Sequence, residues 1–439
     1  MSQIPYQHLL VDPLTGLELT QLLKLAPGVD CLLPNPHLAL EHIATQWHML
    51  STKLTREITE DEALLKHPHL HELMRERIQR QVKWQKKFHH QLQELFKNIP
   101  AHTKSAYFDK MLQGLGHTLP LTQPLIGHPK NIFRDWSWGA VENQRYLDVV
   151  RSRTVGEKKN ILVIAAGAGR LAYDLHQHFQ ADVTFALDNS YFFAQSFQKI
   201  CFGDGLELVE FPAPSLGDES LAHEHKLVAS SPAREGLVYH LGDLNYLPYR
   251  PESFDLIITP WIIDLIPSTL PFLISNISSL LKPQGQWINF GPYSLSADIP
   301  SRCRWSQKEI RGFIEEVELE NFEESWEQVE YLKSPHSSLI RQEQMWTFSA
   351  TKLHSHGRGI QRPQLKESWL IHHDHAIALS SKVQMSLISH KVPARVFELI
   401  DGKRSLKDIA AIMQQEFQMT QAEAQQALTH FLSRWAESG

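Results

Sequence analysis

The chain has 439 residues, which is enough for two or three domains around a well-buried main core. A hydrophobic fraction of 42% and a charged fraction of 21% are typical of soluble globular proteins, and a net charge of −6 argues against a general nucleic-acid-binding protein, which is usually basic. The three cysteines are widely separated and the N-terminus has no secretory pattern, which predicts a cytoplasmic protein. No apolar run approaches about 18 residues, so no membrane span is predicted.

The first part of the chain has a helical pattern. Between residues 36 and 96, apolar side chains such as Ile43, Trp47 and Leu50 recur at spacings of three to four, as they do on one face of an amphipathic helix. We therefore predict a helical N-terminal region over residues 1–130.

Residues 131–352 alternate short apolar runs with helical segments, which predicts an α/β domain with a doubly wound sheet. Helices are expected at 170–179 and 267–281, followed by a turn at 282–285. The expected strands are Ile161–Ile164, Val183–Leu187, Leu237–His240, Asp255–Thr259 and Trp287–Phe290. In this architecture a ligand binds at the carboxyl ends of the strands, so polar groups at those ends are candidate site residues.

The first strand runs into a glycine-rich turn, and the second ends in an acid. Gly167 and Gly169 allow a close approach to a ligand, and Asp188, about 20 residues on, can hold a ribose diol. The pyrophosphate pattern G-x-G-x-x-G is absent, because Ala165 stands at its first glycine. S-adenosyl-L-methionine, which has a ribose and an adenine but no phosphates, fits better. The alternative is an ordinary strand-to-helix turn with a surface acid.

Two further strand ends carry acids. Asp243 can accept the adenine amino group while Leu244 covers the adenine face, although an N-cap role would also explain Asp243. Asp264 is the candidate for substrate chemistry, because a carboxylate beside an imidazole or amine orients it and takes its proton. A helix cap, or an ion pair with Arg302 or Arg304, is the alternative for Asp264.

An aromatic and charged segment precedes the first strand. It includes Arg134, Trp136, Trp138 and Arg145, and it could form a lid over the cofactor. The two arginines could bind the carboxylate of the cofactor through bidentate contacts. Equally, the two tryptophans could simply pack the segment onto the core.

Taken together, these motifs resemble the carnosine N-methyltransferase (N2227-like) family. The resemblance covers roughly residues 131–322 and implies a class I (Rossmann-like) methyltransferase fold, S-adenosyl-L-methionine as the donor and methylation of an imidazole ring nitrogen. It implies that Asp264 orients the imidazole, and that the cofactor is held by Gly167, Gly169, Asp188, Asp243 and Leu244. The motifs that carry it are Phe133–Ser137, Ile161–Leu171, Asn189–Phe193, Gly242–Asp243, Ile263–Asp264 and Trp287–Pro292.

The chain departs from the family pattern mainly on the substrate side. On the cofactor side, Ala165 replaces a glycine and Asp188 replaces what is usually a glutamate. On the substrate side, the histidine that follows Tyr293 in the family is absent, and the later tyrosine pair is missing from residues 331–336. Tyr293 and Trp261 are nevertheless expected to contact the substrate. Carnosine itself is therefore not the expected substrate.

The C-terminal part consists of a polar linker, residues 353–375, and a small domain, residues 376–439. Capping residues Ser405 and Thr420, the latter with Glu423, predict short helices, and residues 376–389 could form a β-wing. The stretch Val396–Ala410 resembles PqqD-like winged-helix modules, which implies binding of a leader peptide along an exposed strand edge.

Two histidine-rich stretches have no ligand set at an established metal spacing, so no metal site is predicted. They are His67, His69 and His71, and His372, His373 and His375.

The predicted function is N-methylation of an imidazole-containing small molecule or peptide, without membrane or nucleic-acid partners. The alternative is a non-catalytic protein that senses S-adenosyl-L-methionine and binds a peptide or DNA through its C-terminal module.

Overall fold

The computed structural model describes the backbone of residues 6–19, 22–26, 28–34, 36–99, 129–217, 221–295, 299–355, 357, 359–361, 391–401, 403–417 and 420–437. The chain divides into two compact units, residues 1–364 and residues 365–439. Within the described residues, no helix has both the length and the apolar character needed to cross a membrane. The predicted β-wing and the second histidine stretch lie outside the described residues.

A nine-stranded sheet forms the centre of the first unit, in the order β1-β2-β7-β4-β3-β8-β9-β11-β10. Strands β2, β7, β4, β3, β8 and β9 are parallel, and β11 is antiparallel to both of its neighbours. The strands are β1 (Leu23–Ala26), β2 (Val29–Cys31), β3 (Asn160–Ile164), β4 (Val183–Asp188), β7 (Leu237–Leu241), β8 (Phe254–Pro260), β9 (Leu281–Pro292), β10 (Leu319–Tyr331) and β11 (Arg341–Lys352). A separate pair contains β5 (Leu206–Glu210) and β6 (His223–Leu227).

The seven strands from β7 to β10 have the doubly wound order with one antiparallel strand inserted near the end. Counted in chain order, that arrangement is 3-2-1-4-5-7-6, which is the class I methyltransferase sheet. The fold class expected from the sequence is therefore confirmed.

Both faces of the sheet are covered, which explains why its central strands are continuously apolar. In β3, Ile161 and Val163 point into one buried cluster, and Leu162 and Ile164 point into the other. Helices Arg170–Phe179 and Tyr191–Phe202 contribute to the first cluster, together with Ala140–Arg153; helices Leu270–Leu280 and Gln307–Glu316 contribute to the second. The core thus holds the ends of the parallel strands in fixed positions.

The helical pattern of residues 36–96 corresponds to two long helices, Pro36–Leu65 and Glu72–Phe96. It also contributes β1 and β2, which extend the sheet beyond β7 and which the helical pattern did not indicate. The turn predicted at residues 282–285 lies inside β9 as an irregularity of pairing, with Gln284 at φ +66°. The strand resumes regular pairing with β8 immediately afterwards, so the expected break does not end it.

The second unit contains helices over residues 391–399, Leu406–Phe417 and Gln421–Glu437. The predicted capping residues are in place: the Ser405 hydroxyl accepts from the Asp408 backbone N–H at 3.2 Å, and the Thr420 hydroxyl accepts from that of Glu423 at 3.3 Å. Val396, Leu399, Ile409, Met413 and Leu428 form its buried core.

Candidate functional site

The turn that follows β3 has the backbone conformation that its glycines permit. Ala165, Gly167 and Gly169 all have positive φ, at 58°, 56° and 82°. A Cβ on Gly169 would lie 2.3 Å from a ring carbon of Phe197, whereas a Cβ on Gly167 would meet nothing within 4 Å. Gly169 is therefore required for packing, while Gly167 borders open space at the carboxyl end of β3.

Three side chains from different elements hold this turn. Asp188, at the end of β4, accepts the Gly167 N–H at 2.9 Å, and the Tyr239 hydroxyl donates to the Gly167 carbonyl at 2.6 Å. The Trp136 indole donates to the Ala168 carbonyl at 2.9 Å. Trp136 thus fixes the predicted lid segment to the turn, which is the packing role considered for it from the sequence.

Asp188 lies against the turn rather than at the surface. Its second carboxylate oxygen accepts the Ser190 N–H at 3.0 Å, and burial raises its pKa to about 6 even though these backbone hydrogen bonds favour the ionised form. Each oxygen has accepted one N–H, and a carboxylate offers about four lone-pair sites. The remaining sites can accept the two hydroxyls of a ribose.

Asp243 follows β7, the neighbour of β4. One of its oxygens accepts the Asn245 backbone N–H at 2.8 Å and the Asn245 side-chain amide at 2.9 Å. Residues 243–245 form a turn and no helix begins there, so the N-cap alternative does not describe Asp243. The side chain of Leu244 is partly buried against the cluster on that face of the sheet.

Arg134 lies at the centre of a buried polar network. Its Nε donates to Asp135 at 2.5 Å and its Nη1 donates to Glu142 at 3.0 Å. Burial alone would lower the pKa of Arg134, but the Asp135 carboxylate keeps it well above its usual value. Glu142 also accepts the hydroxyl of Tyr146 at 2.6 Å and the Leu332 N–H at 3.0 Å. Nη2 has no hydrogen-bond partner among the described residues, so its N–H groups are available to a further acceptor.

An aromatic cluster lies beside this network. Trp261, directly after β8, stacks on Tyr331 with ring centroids 3.9 Å apart and an interplanar angle of 17°. Tyr146 meets the edge of Trp261 at 6.0 Å, and the Arg341 guanidinium lies 5.0 Å from the centre of the Tyr331 ring. Tyr331 was not expected as a site residue. Strand β10, which ends at Tyr331, was not among the strands expected from the sequence, so no local pattern pointed to this residue.

The backbone at Trp261 is unusual and is held by β9. Trp261 has φ +54°, and its N–H donates to the Phe290 carbonyl at 2.7 Å. A Cβ on Gly291 would lie 2.8 Å from the Trp261 Cα, so the glycine of the Trp287–Pro292 motif is required by this close approach. The Trp261 indole nitrogen is buried and has no hydrogen-bond partner among the described residues. A buried donor of this kind is usually satisfied by water or by a ligand.

Asp264 is buried three residues further on, with 9% of its surface exposed. Burial raises its pKa to about 6, although the N–H groups of Asp264 itself and of Ser294 lower it in part. The charged groups that act on it are Glu343 and Arg341, rather than Arg302 or Arg304 as the alternative supposed.

Tyr293 lies near Asp264. The pKa of the Tyr293 hydroxyl is raised to about 12, mainly by burial and to a smaller extent by the carboxylates of Glu309 and Asp264. The Tyr293 hydroxyl donates to the Trp305 carbonyl at 2.6 Å. The donor of this hydroxyl is therefore already used within the protein.

Two families of known sequences match parts of this chain. Residues 220–353 match the family described as Carnosine N-methyltransferase, and residues 391–439 match Coenzyme PQQ synthesis protein D (PqqD). Both resemblances stated from the sequence are thereby confirmed, although the first match begins after the glycine turn and extends past residue 322. A search of curated proteins found no match.

Solved structures with similar folds are methyltransferases at low identity. One is phosphoethanolamine N-methyltransferase 2 of Haemonchus contortus in complex with phosphomonomethylethanolamine and S-adenosylhomocysteine, which is 13% identical to this chain with a TM-score of 0.35. The match covers 54% of this chain and 61% of that one, so this chain spans less than two thirds of that protein. A putative S-adenosylmethionine-dependent methyltransferase from Listeria monocytogenes is 12% identical with a TM-score of 0.31, over 49% of this chain and all of that one. NodS, an N-methyltransferase from Bradyrhizobium japonicum, is 14% identical with a TM-score of 0.30, over 49% of this chain and 97% of that one.

Proposed function

We propose that this chain, part of which matches the carnosine N-methyltransferase family, is an S-adenosyl-L-methionine-dependent methyltransferase that methylates a ring nitrogen of an imidazole. The acceptor is a histidine-containing small molecule or peptide. The observation that carries this proposal is the buried Asp264, which follows β8 at the same sheet edge as the glycine turn of the adjacent strand β3.

The residues at this edge fit the cofactor. Gly167 borders open space, Asp188 has lone pairs left for a ribose diol, and Asp243 can accept an adenine amino group beside Leu244. The network around Arg134 leaves Nη2 for the methionine carboxylate. When bound, S-adenosyl-L-methionine supplies an electrophilic methyl group on a sulfonium, so the protein has to provide position, desolvation and a proton acceptor.

The aromatic cluster suits a flat acceptor. Trp261 and Tyr331 stack on each other, so an imidazole would pack against the partly exposed side of this pair, and the unpaired Trp261 indole N–H can donate to a polar atom of the acceptor. An N–H and a lone pair lie on opposite nitrogens of a neutral imidazole. If Asp264 accepts that N–H, the lone pair of the other nitrogen is fixed toward the methyl group.

Asp264 also provides the acceptor for the proton. Its carboxylate is ionised above about pH 6, where a neutral imidazole can act as the nucleophile. As the reacting nitrogen becomes alkylated, positive charge develops on the ring and the opposite N–H becomes more acidic. Asp264 then stabilises that charge and takes the proton in a largely dehydrated site.

The C-terminal unit supports a peptide acceptor. Its match to PqqD adds a module of a kind that binds an extended leader peptide, and this is the role we propose for residues 391–439. A peptide with a leader segment and a histidine would then engage both units of the chain, one for recognition and one for transfer.

Replacement of Asp264 tests the proposed chemistry. Asp264→Asn should reduce the rate of imidazole methylation at least about 100-fold, the usual contribution of a general base, while the affinity for S-adenosyl-L-methionine stays within about threefold. The matched control is Glu343→Gln, which removes a nearby carboxylate and should change the rate only slightly. Methyl transfer is measured by mass spectrometry and cofactor binding by calorimetry. Equal losses of rate and cofactor affinity would remove Asp264 from the acceptor site.

A further inference from the structure

A cluster of histidine and carboxylate side chains lies outside the site described above. One ligand atom each from Glu210, His225 and His336 lies within 4.8 Å of the other two. Glu210 is 2% exposed, and the two histidines are half-buried. These residues belong to three separate segments: strand β5, strand β6 and the loop after β10.

The strand pair explains how the cluster forms. Glu210 of β5 is directly opposite His223 of β6, and His223 and His225 are two residues apart, so both side chains project from one face of the pair. His336 covers this face, with its ring stacked on His223 at a centroid distance of 3.6 Å. The Nε2 atom of His223 is buried and has no hydrogen-bond partner among the described residues. Side chains from three segments thus form a polar cluster that includes a buried nitrogen without a partner among the described residues.

The contacts of His225 are compatible with metal binding through one ring nitrogen. Its Nδ1 lies 2.9 Å from the Ser137 hydroxyl, and its Nε2 lies 2.8 Å from Glu210 Oε2. The Nε2–H tautomer donates to Glu210 and accepts from Ser137, whereas the Nδ1–H tautomer donates to Ser137 and turns the Nε2 lone pair toward the carboxylate, which is the form that a metal ion binds. Ser334 donates to the other Glu210 oxygen at 3.0 Å and orients the carboxylate.

We propose that Glu210, His225 and His336 bind a zinc ion. Imidazole nitrogen and carboxylate oxygen are common zinc donors, and ligand atoms about 2.1 Å from a tetrahedral ion lie about 3.4 Å apart. The widest separation in the cluster therefore has to shorten by at most about 1.4 Å, while His225 Nε2 and Glu210 Oε2, now 2.8 Å apart, have to move apart by about 0.6 Å. The ion binds the Nε2 lone pair of the Nδ1–H tautomer of His225 and takes the place of the direct contact between His225 and Glu210. Water or a further protein group completes the coordination.

The ion would connect this cluster to the cofactor side of the protein. Ser137, which contacts His225, and Trp138, whose indole donates to Glu210 at 3.3 Å, belong to the same short π-helical turn as Arg134. Zinc would therefore hold the β5–β6 pair, the loop after β10 and the turn that carries Arg134 in one arrangement. The role is structural, and it needs no step in the methyl transfer.

Direct metal binding to the full chain without a histidine tag tests the site. After dialysis against a chelator, the protein should take up one zinc ion per chain with submicromolar affinity, measured by calorimetry and elemental analysis, and its Tm should rise. His336→Ala and Glu210→Gln should weaken zinc binding at least about 100-fold, and Ser137→Ala about tenfold, as for outer contacts of other metal sites.

The control is His69→Ala, which removes an exposed histidine from the His67–His71 stretch and should leave zinc binding unchanged. His336→Ala alters only a loop residue, so unchanged circular dichroism and unchanged Tm in chelator will show that it is folded. Zinc uptake that survives both His336→Ala and Glu210→Gln, or the absence of stoichiometric uptake by the unaltered chain, would overturn the proposal.

Discussion

Replacing Asp188 with asparagine should separate cofactor binding from folding. The carboxylate accepts the Gly167 N–H at 2.9 Å through one oxygen and the Ser190 N–H at 3.0 Å through the other. Asparagine keeps the shape but turns one oxygen into a donor, so one of these backbone N–H groups loses its acceptor. Leaving such a group unsatisfied costs about 1–3 kcal/mol of stability.

The larger effect should be on the affinity for S-adenosyl-L-methionine. A hydrogen bond to a charged group contributes about 1.5–3 kcal/mol and one to a neutral group about 0.5–1.5 kcal/mol, so two ribose hydroxyls lose about 2–3 kcal/mol together. At about 1.4 kcal/mol per factor of ten, binding weakens roughly 30- to 150-fold.

Calorimetric titration of S-adenosyl-L-methionine and of its demethylated product measures this loss. The control is Asp182→Asn, an exposed acid just before β4, which should bind both ligands normally. Because the ionised carboxylate is the better acceptor and its pKa is about 6, the affinity of the unaltered protein should fall as the pH is lowered through 6, and the variant should lack that dependence. Binding by Asp188→Asn within threefold of the unaltered protein would refute the assignment of the ribose to Asp188.

Four other predictions concern the acceptor, the turn and the second unit. At saturating cofactor, kcat should fall as the pH drops through about 6, because Asp264 becomes protonated and can no longer accept the ring N–H. If this fall comes from the enzyme and not from the acceptor, an acceptor whose ring has a lower pKa should show it at the same pH. Gly167→Ala should weaken cofactor binding with a small loss of Tm, whereas Gly169→Ala should lower stability by about 2–4 kcal/mol in denaturant titrations, since its Cβ meets Phe197 as well as a positive φ; equal effects of the two would contradict the geometry. Tyr331→Ala should raise the KM for the acceptor about tenfold and Tyr331→Phe much less, because the ring stacks on Trp261; an unchanged KM would exclude Tyr331 from the acceptor site. A histidine peptide with its leader segment should have a lower KM than the same peptide without it, and equal values would argue against leader binding by residues 391–439.

Local patterns were sufficient for the central parallel strands of the sheet and for the acids at their ends. Strands β3, β4, β7 and β8 are buried on both faces, and their continuous apolar runs gave their positions within one or two residues. Since parallel strands end at one edge, the same runs placed Asp188, Asp243 and Asp264 together. The roles assigned to these acids remain predictions.

Other features depended on contacts between distant segments. Strands β1 and β2 are short and lie in a region of helical periodicity, so only their pairing with β7 identifies them. The sequence suggested that Arg134 binds the cofactor, but it did not reveal that Arg134 forms ion pairs with Asp135 and Glu142. Such buried ion pairs depend on how the segments pack together.

The sequence by itself determined the five parallel strands β3, β4, β7, β8 and β9 and the acids that follow three of them, because these strands are continuous apolar runs along the chain. Only the tertiary structure decided that Tyr331 lies on Trp261 and that His336 meets Glu210 and His225. These residues are far apart in the chain, and no local preference encodes a contact that forms only when β10 and the loop after it fold back over the sheet edge and the β5–β6 pair.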